Sequence, residues 1–206
     1  EIVNSKVIQQ YASLLTSAAS VIGSPQIRNK GTVGGNIMNA ATCADTVPPL
    51  IALGAKITLR SKANSRQIDL SDLFIKPYQT KAQVDEILTE IQFPKLSSNA
   101  KSSFIKLGRR NALAISRLSV AAILTQDKNG KITDARIVPG AALPVWRRVT
   151  EAEKILVGEK PSKELFITAG QKVSEVMISH TGRRWSTEYK EPVIAILVRR
   201  ALEACL

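Results

Sequence analysis

The residues best suited to chemistry form a glycine-rich stretch near the N-terminus, from Gln26 to Asn36. It contains the cations Arg28 and Lys30, followed by the sequence Thr-Val-Gly-Gly-Asn. Adjacent glycines let backbone N–H groups approach a ligand without a Cβ atom in the way, and successive N–H groups in such a turn form an anion-binding nest. The stretch is therefore predicted to be a loop that holds a phosphate-bearing ligand.

The spacing of these glycines excludes the two commonest phosphate motifs. It is neither the GxGxxG of a Rossmann fold nor the GxxxxGK[S/T] of a P-loop. A Gly-Gly pair alone is more often only a turn, so the ligand role depends on its neighbours. Thr32 and Asn36 add side-chain donors, and Arg28 either braces the loop or contacts the ligand. Further along, Asp45 is a candidate helix N-cap, a candidate ligand contact, or both.

Metal chemistry has little support in the composition. The chain has two cysteines, Cys43 and Cys205, which form no CxxC pair, and a single histidine, His180. Neither a disulfide framework nor a four-ligand zinc site can be built from them. A redox metal is therefore expected in another chain, in a reducing cytoplasmic compartment. No catalytic residue is predicted, and His180 is interpreted as a helix-end residue.

The charge balance narrows the range of partners. A net charge of +12 fits a nucleic acid, a phosphate-bearing cofactor or an acidic subunit. The basic residues are scattered as pairs, and aromatic residues make up only 4% of the chain, too few for a platform that stacks bases. Nucleic-acid binding is therefore kept only as an alternative. No apolar run approaches the roughly 18 residues of a membrane span, so no membrane partner is expected.

The periodicity of apolar residues predicts an α+β fold with a first unit over residues 1–97. A helix over Val7–Ile22 is stopped by glycine and proline, and two prolines open a second helix over Asp45–Leu53. Alternating segments predict antiparallel strands, with an irregular loop from Phe74 to Thr80. These strands are Ala55–Arg60, Arg66–Leu70 and Ile87–Phe93.

A second unit over residues 98–206 is predicted to be a three-stranded antiparallel sheet followed by helices. Asn129-Gly130 marks a tight turn between its last two strands. Pro192 is expected in the first turn of the last helix. Trp146, Trp185 and Tyr189 are expected to pack within this unit. The predicted elements are strands Ser103–Leu107, Ser119–Gln126 and Lys131–Val138, and helices Thr150–Val157, Ser162–Ser179 and Glu191–Cys205.

The glycine-rich stretch carries a resemblance to a known family. Residues 23–37 resemble the second flavin-contacting segment of the FAD subunits of the xanthine dehydrogenase and carbon monoxide dehydrogenase family, whose signature is Q-x-R-N-x-x-T-[I/V]-G-G-N. Small residues, Asp45 and two prolines follow as in that family. Phe104–Arg110 is similar to its F-x-K-x-x-R-R segment, and Ala141–Arg148 looks like the opening of its C-terminal domain. The resemblance covers essentially the whole chain.

The resemblance implies a function. The chain would be the FAD-binding electron-transfer subunit of a molybdenum hydroxylase, a xanthine dehydrogenase-like oxidoreductase. It would pass electrons through the flavin to an acceptor. Its partners would be a large subunit with molybdopterin and a small subunit with 2Fe–2S clusters. The implied FAD contacts are Thr32, Val33, Gly34, Gly35, Asn36, Asn39, Asp45, Leu88 and Lys106.

Particular roles follow from the resemblance. The Thr32–Asn36 stretch would hold the phosphates and ribityl chain, and Asp45 would accept a ribityl or ribose hydroxyl. Leu88 would pack near the cofactor. Lys106 would lie at the edge of the flavin ring, where a cation favours electron uptake; without the resemblance it would be interpreted as a solvated lysine on a strand.

Two departures from the family set limits. Its members begin with a further segment that carries another glycine-rich motif, so this chain is expected to lack the first FAD subdomain. An assembly module without FAD is therefore an alternative. Xanthine dehydrogenases also resemble R-R-E-D-D-I where this chain has the uncharged residues 111–115, so NAD is doubtful as acceptor. A purine, a nicotinate-like heterocycle and an aldehyde all remain open as substrates.

Overall fold

The computed structural model describes residues 1–110 and 112–206 of the chain. The first unit contains five short α-helices and five strands, and the second contains three strands followed by three α-helices. The first-unit elements are α1 Lys6–Tyr11, α2 Ser13–Ser20, α3 Pro25–Lys30, α4 Val33–Met38, α5 Val47–Ala52, β1 Lys56–Arg60, β2 Ser65–Asp69, β3 Phe74–Lys76, β4 Gln79–Thr80 and β5 Ile87–Gln92. The second-unit elements are β6 Ala100–Leu107, β7 Leu118–Gln126, β8 Ile132–Gly140, α6 Thr150–Leu156, α7 Lys163–Thr181 and α8 Thr187–Glu203.

The single N-terminal helix predicted over Val7–Ile22 is wrong, because the chain breaks at Ala12. Its φ of −152° and ψ of 46° lie outside the helical region. The break gives α1 and α2 different surroundings: α1 buries no residue fully, whereas α2 buries Leu14 and Leu15. Apolar spacing alone did not distinguish one helix on one surface from two helices on two surfaces.

The first sheet confirms the predicted antiparallel strands and has the order β2-β1-β5. Lys56 pairs with Asp69 and Arg60 with Ser65 in the predicted hairpin. The irregular loop predicted from Phe74 to Thr80 is instead a second small hairpin, β3-β4. Tyr78 supplies its turn with a φ of 63°, and the Tyr78 N–H donates to the carbonyl of Ala40 at 2.9 Å. This bond holds the hairpin against the segment that follows α4.

The second sheet has the order β6-β7-β8 and joins the two units. Along β7, Val120 and Ala122 pack into a core with the last three helices. The alternate residues Ala121 and Ile123 pack into a different core, formed with the first unit. Because both faces are buried, β7 is a continuous apolar run rather than an alternating one. Asn129-Gly130 forms the predicted tight turn, with a φ of 76° at Gly130.

Three predictions about the C-terminal unit are wrong. Pro192 lies inside α8, which begins five residues earlier, so the packing of α8 on α7 and β7 outweighs the missing N–H. Trp146 is buried, but it packs on Phe74 in the first core, with ring centroids 4.6 Å apart. Trp185 and Tyr189 are 88% and 44% exposed rather than packed. His180 does lie in the last turn of α7, as predicted.

An ion pair ties β2 to the turn before β5 and makes stability depend on pH. The Arg66 guanidinium donates to Glu86 at 2.6 and 2.8 Å, and the Gln83 N–H donates to Glu86 at 2.7 Å. Together these bonds lower the pKa of Glu86 from 4.5 to about 2, with the Arg66 bond the larger cause.

We expect this pair to stabilise the fold fully above pH 4.5 and to lose its effect as the pH falls toward about 2, because the depressed pKa belongs to the folded state. The urea midpoint measured across this range should fall less steeply in Glu86→Gln than in the parent. Identical slopes in both proteins would contradict the assignment.

Candidate functional site

The glycine-rich stretch is helical at both ends rather than an open loop, so the predicted nest is wrong. Ser24 caps α3 by accepting the Ile27 N–H at 3.3 Å, and Thr32 caps α4 by accepting the Gly35 N–H at 2.9 Å. Side-chain caps satisfy N–H groups that a helix start leaves open, which offsets the poor helix propensity of glycine. Neither Gly34 nor Gly35 has the positive φ that a nest would need.

The first turn of α4 has backbone N–H groups that are available to a ligand. Among the described residues no acceptor contacts the N–H of Val33 or Gly34. A Cβ built on Gly34 would lie 3.6 Å from Cδ2 of Leu88 on β5, so Leu88 packs directly against this turn of α4. Thr32 and Gly35 are exposed to solvent.

A side-chain hydrogen bond joins α4 to the start of α5. The buried hydroxyl of Thr46 donates to Oδ1 of Asn36 at 2.7 Å. Asn36 was predicted to be a donor, and here its carbonyl oxygen accepts. Its amide nitrogen has no partner within the part of the chain that the structure describes, so it remains available as a donor.

Asp45 lies at the centre of the site and is 5% exposed. Its Oδ2 lies 2.8 Å from Nζ of Lys106 on β6, and its Oδ1 accepts from the hydroxyl of Ser116 at 2.5 Å. The alternative that Asp45 caps α5 is wrong, because Thr46 occupies the N-cap position without a side-chain cap bond. The pair therefore links the first unit to the second sheet.

Lys106 is not a solvated lysine. Its side chain is 11% exposed, and its ammonium donates to the Val21 carbonyl at 2.9 Å as well as to Asp45. An ammonium has three N–H donors, and a carboxylate has about four lone-pair sites. The contacts within residues 1–110 and 112–206 use two of these donors and two of these sites, which leaves both groups able to bind a ligand.

The structure brings most of the predicted contacts together. Gly34 meets Leu88, and Asp45 meets Lys106. Asn36 meets Thr46, which was not predicted and which directly follows Asp45. Asn39 is an exception, because it is exposed at the far end of α4 and remains only a prediction.

The contacts also show the roles of Arg28 and Ser116, which lie next to the site. Arg28 braces the backbone, since its guanidinium donates to the carbonyls of Ile22 and Gly23 at 2.8 and 3.1 Å. Ser116 was not predicted as a site residue, because no local sequence pattern relates it to an aspartate 71 positions earlier.

Neither a metal cluster nor a membrane-spanning helix occurs among the described residues. No cluster of three or more His, Cys, Asp or Glu side chains that could hold a metal ion occurs there. None of the helices described combines the length and apolar character needed to cross a membrane. Clefts of about 420 and 620 Å³ lie elsewhere, one beside Asp72 and Trp146 and one beside Tyr11 and Leu206. The assignment of the site therefore rests on contacts rather than on a cavity.

Comparisons with known proteins decide the family. Residues 1–96 match the family described as "FAD binding domain in molybdopterin dehydrogenase", and residues 103–205 match "CO dehydrogenase flavoprotein C-terminal domain". The chain is 30% identical to the 6-hydroxypseudooxynicotine dehydrogenase complex subunit alpha of Paenarthrobacter nicotinovorans, over 100% of this chain and 69% of that protein. The chain belongs to the FAD-binding subunit family of the molybdenum hydroxylases.

Two further similarities agree with this membership. The nicotine 6-hydroxylase medium subunit of the same organism is 29% identical over 98% of this chain and 70% of its own length. A solved carbon monoxide dehydrogenase chain from Hydrogenophaga pseudoflava superimposes with a TM-score of 0.91 at 25% identity, covering 99% of this chain and 70% of that one. The predicted family, α+β fold class, FAD cofactor and role as an oxidoreductase subunit are confirmed.

Proposed function

We propose that this chain holds FAD across α4, β5 and the Asp45–Lys106 pair, and that it passes electrons from a molybdenum subunit and an iron–sulfur subunit to an acceptor. The observation that carries the proposal is the convergence of residues from four separate segments. Gly34 contacts Leu88, and Asp45 contacts Lys106, which lies 61 positions later in the chain. The hydrogen bond between Asn36 and Thr46 connects these two pairs.

The phosphate-facing role falls to the start of α4. The N–H groups of Val33 and Gly34, which have no acceptor among the described residues, and the exposed hydroxyl of Thr32 donate to anionic oxygens. The missing side chains of Gly34 and Gly35 allow the ligand to approach the backbone closely. The amide nitrogen of Asn36 supplies one more donor, and Asn39 is proposed as an outer contact.

The ring-facing role falls to Lys106, with Asp45 holding a hydroxyl of the cofactor. The bound flavin supplies the redox chemistry, and the protein positions it and tunes its potential. The remaining N–H of Lys106 favours negative charge on the ring after electron uptake. Asp45 fixes the position of that ammonium at 2.8 Å, and the Ser116 hydroxyl donates to the other oxygen of Asp45 at 2.5 Å.

We propose that the two units divide between residues 97 and 98 in sequence, although they share a hydrophobic core. The two family matches leave residues 97–102 between them. However, Ala121, Ile123 and Val138 of the second unit lie in the core of the first. We therefore expect the two units to unfold together.

For the electron acceptor and the substrate, we propose only which classes fit this chain. NAD stays disfavoured, since Leu113 and Ile115 are 53% and 76% exposed and carry no charge, while Asn111 lies outside the described residues. Three similar proteins are named for nicotine, 6-hydroxypseudooxynicotine and carbon monoxide. These names do not select one substrate class for this chain, and a xanthine-like purine is still a candidate. A cytoplasmic location is proposed from the two free thiols, Cys43 and Cys205.

Gly34→Ala tests the proposed contact. The added Cβ meets Leu88 at an ordinary 3.6 Å, so the fold should keep or slightly gain stability from the better helix former. FAD affinity should fall about tenfold, equal to about 1.4 kcal/mol, because the Cβ blocks close approach to the backbone. Calorimetric titration with FAD measures this change.

Gly130→Asn, in the β7–β8 turn, is the matched control and should leave FAD affinity unchanged, because asparagine tolerates the positive φ there. Equal FAD affinities for Gly34→Ala and the parent would contradict the proposed contact between FAD and the backbone at Gly34. An unfolded variant is recognised separately by circular dichroism.

A further inference from the structure

Beside the candidate site lies a surface that we call the basic patch, formed by Arg117, Arg184, Trp185, Tyr189 and Lys190. The Arg117 guanidinium lies 5.0 Å from the centroid of the Tyr189 ring. Lys190 is half-buried and donates to the Ala141 carbonyl at 2.8 Å. Trp185 is 88% exposed. These side chains therefore form one cationic and aromatic surface at the start of α8.

None of the three cations of the patch forms an ion pair within the described residues. Among the described residues no carboxylate lies within 4.0 Å of Arg117, Arg184 or Lys190, although the neighbouring Arg183 pairs with Glu191 at 2.9 Å. Burial, and then the charges of Arg117 and Arg184, lower the pKa of Lys190. Gathering like charges in this way opposes folding, and an anionic partner would relieve the repulsion.

The patch adjoins the proposed flavin site through two backbone connections. Arg117 directly follows Ser116, whose hydroxyl contacts Asp45. The acceptor of the Lys190 bond is Ala141, whose own N–H donates to the carbonyl of Thr42, three residues before Asp45. A partner docked on the patch would therefore sit next to the flavin.

The aromatic residues favour a protein over a small anion. Tryptophan, tyrosine and arginine dominate the binding energy of protein interfaces, where they fill pockets on the partner. A free phosphate would use the cations but would leave an exposed indole such as Trp185 without a partner. Ile115, 76% exposed and two residues before Arg117, extends the apolar part of the surface.

We propose that the basic patch docks an acidic protein surface, on a subunit of the hydroxylase complex that exchanges electrons with the flavin. This inference rests on the proposed function, because it takes the partner from that assembly. The cations steer and orient the acidic face, and Trp185 and Tyr189 are buried when the complex forms.

Charge reversal in the intact complex tests the proposal. The chain is co-expressed with its own molybdenum and iron–sulfur subunits, and the dissociation constant is measured at several salt concentrations. Arg184→Glu should weaken assembly at least tenfold and reduce its salt dependence. Trp185→Ser, at a position that is almost fully exposed in the free chain, should weaken assembly without changing net charge.

Lys128→Glu is the matched control, since it makes the same charge change in the turn at the opposite end of β7. The proposal is overturned if Arg184→Glu leaves assembly unchanged, or weakens it no more than Lys128→Glu does. It is also overturned if Arg184→Glu abolishes binding to duplex DNA while assembly is intact. FAD binding is measured on the same samples, so a failure of the proposed function is recognised independently.

Discussion

Replacing Lys106 with methionine is expected to destabilise the protein by about 3–5 kcal/mol, because the substitution leaves the Asp45 carboxylate buried without its cation. Asp45 is 5% exposed and lies 2.8 Å from the ammonium. Methionine keeps most of the length and apolar character of the lysine stem, so the loss reports the charge rather than a cavity. Urea unfolding measures the change in free energy.

A double substitution separates the ion pair from the ligand contact. Asp45→Asn combined with Lys106→Met removes both charges, so its cost should be clearly less than the sum of the two single costs. The double variant should fold but bind FAD much more weakly than the parent. A cost below about 1 kcal/mol for Lys106→Met alone would show that solvent already screens the pair.

Gly170→Ala is expected to lower stability by about 1–3 kcal/mol, although alanine is the better helix former by about 1 kcal/mol. A Cβ at this position in α7 would lie 2.4 Å from the carbonyl oxygen of Ala195 in α8. That atom belongs to the backbone and cannot swing aside, so the two helices must separate. Thermal unfolding measures the effect.

Gln171→Ala is the control for Gly170→Ala. It lies next along α7 and is exposed, so its melting temperature should shift little. If Gly170→Ala instead raised the melting temperature, α7 and α8 would not approach each other as closely as described.

The parts of the fold that local patterns encode were predictable. The hairpin joining β1 and β2 and the turn at Gly130 follow from period-two alternation and from turn residues. Pro192 was misplaced because α8 is stabilised by its packing, which a helix-start rule does not include. The buried Asp45–Lys106–Ser116 group was not predictable as a contact, since it joins residues 71 positions apart at the most.

The glycine-rich stretch shows what a motif can and cannot tell. Its residue types predicted the family, because Thr32, Gly34 and Asn36 match a family signature, and the family is confirmed. The place of the cofactor on this stretch stays a prediction. The predicted nest was wrong because the Thr32 hydroxyl accepts the Gly35 N–H and starts a helix there.

The most direct test of the account is a calorimetric titration of the purified, folded chain with FAD. We predict saturable binding of one FAD per chain with a dissociation constant of about 1 μM or tighter, equal to about −8.2 kcal/mol or better. The Asp45→Asn/Lys106→Met variant should show much weaker binding under the same conditions. Absence of saturable FAD binding to the parent chain, with its circular dichroism intact, would contradict the central claim that these residues form the flavin site.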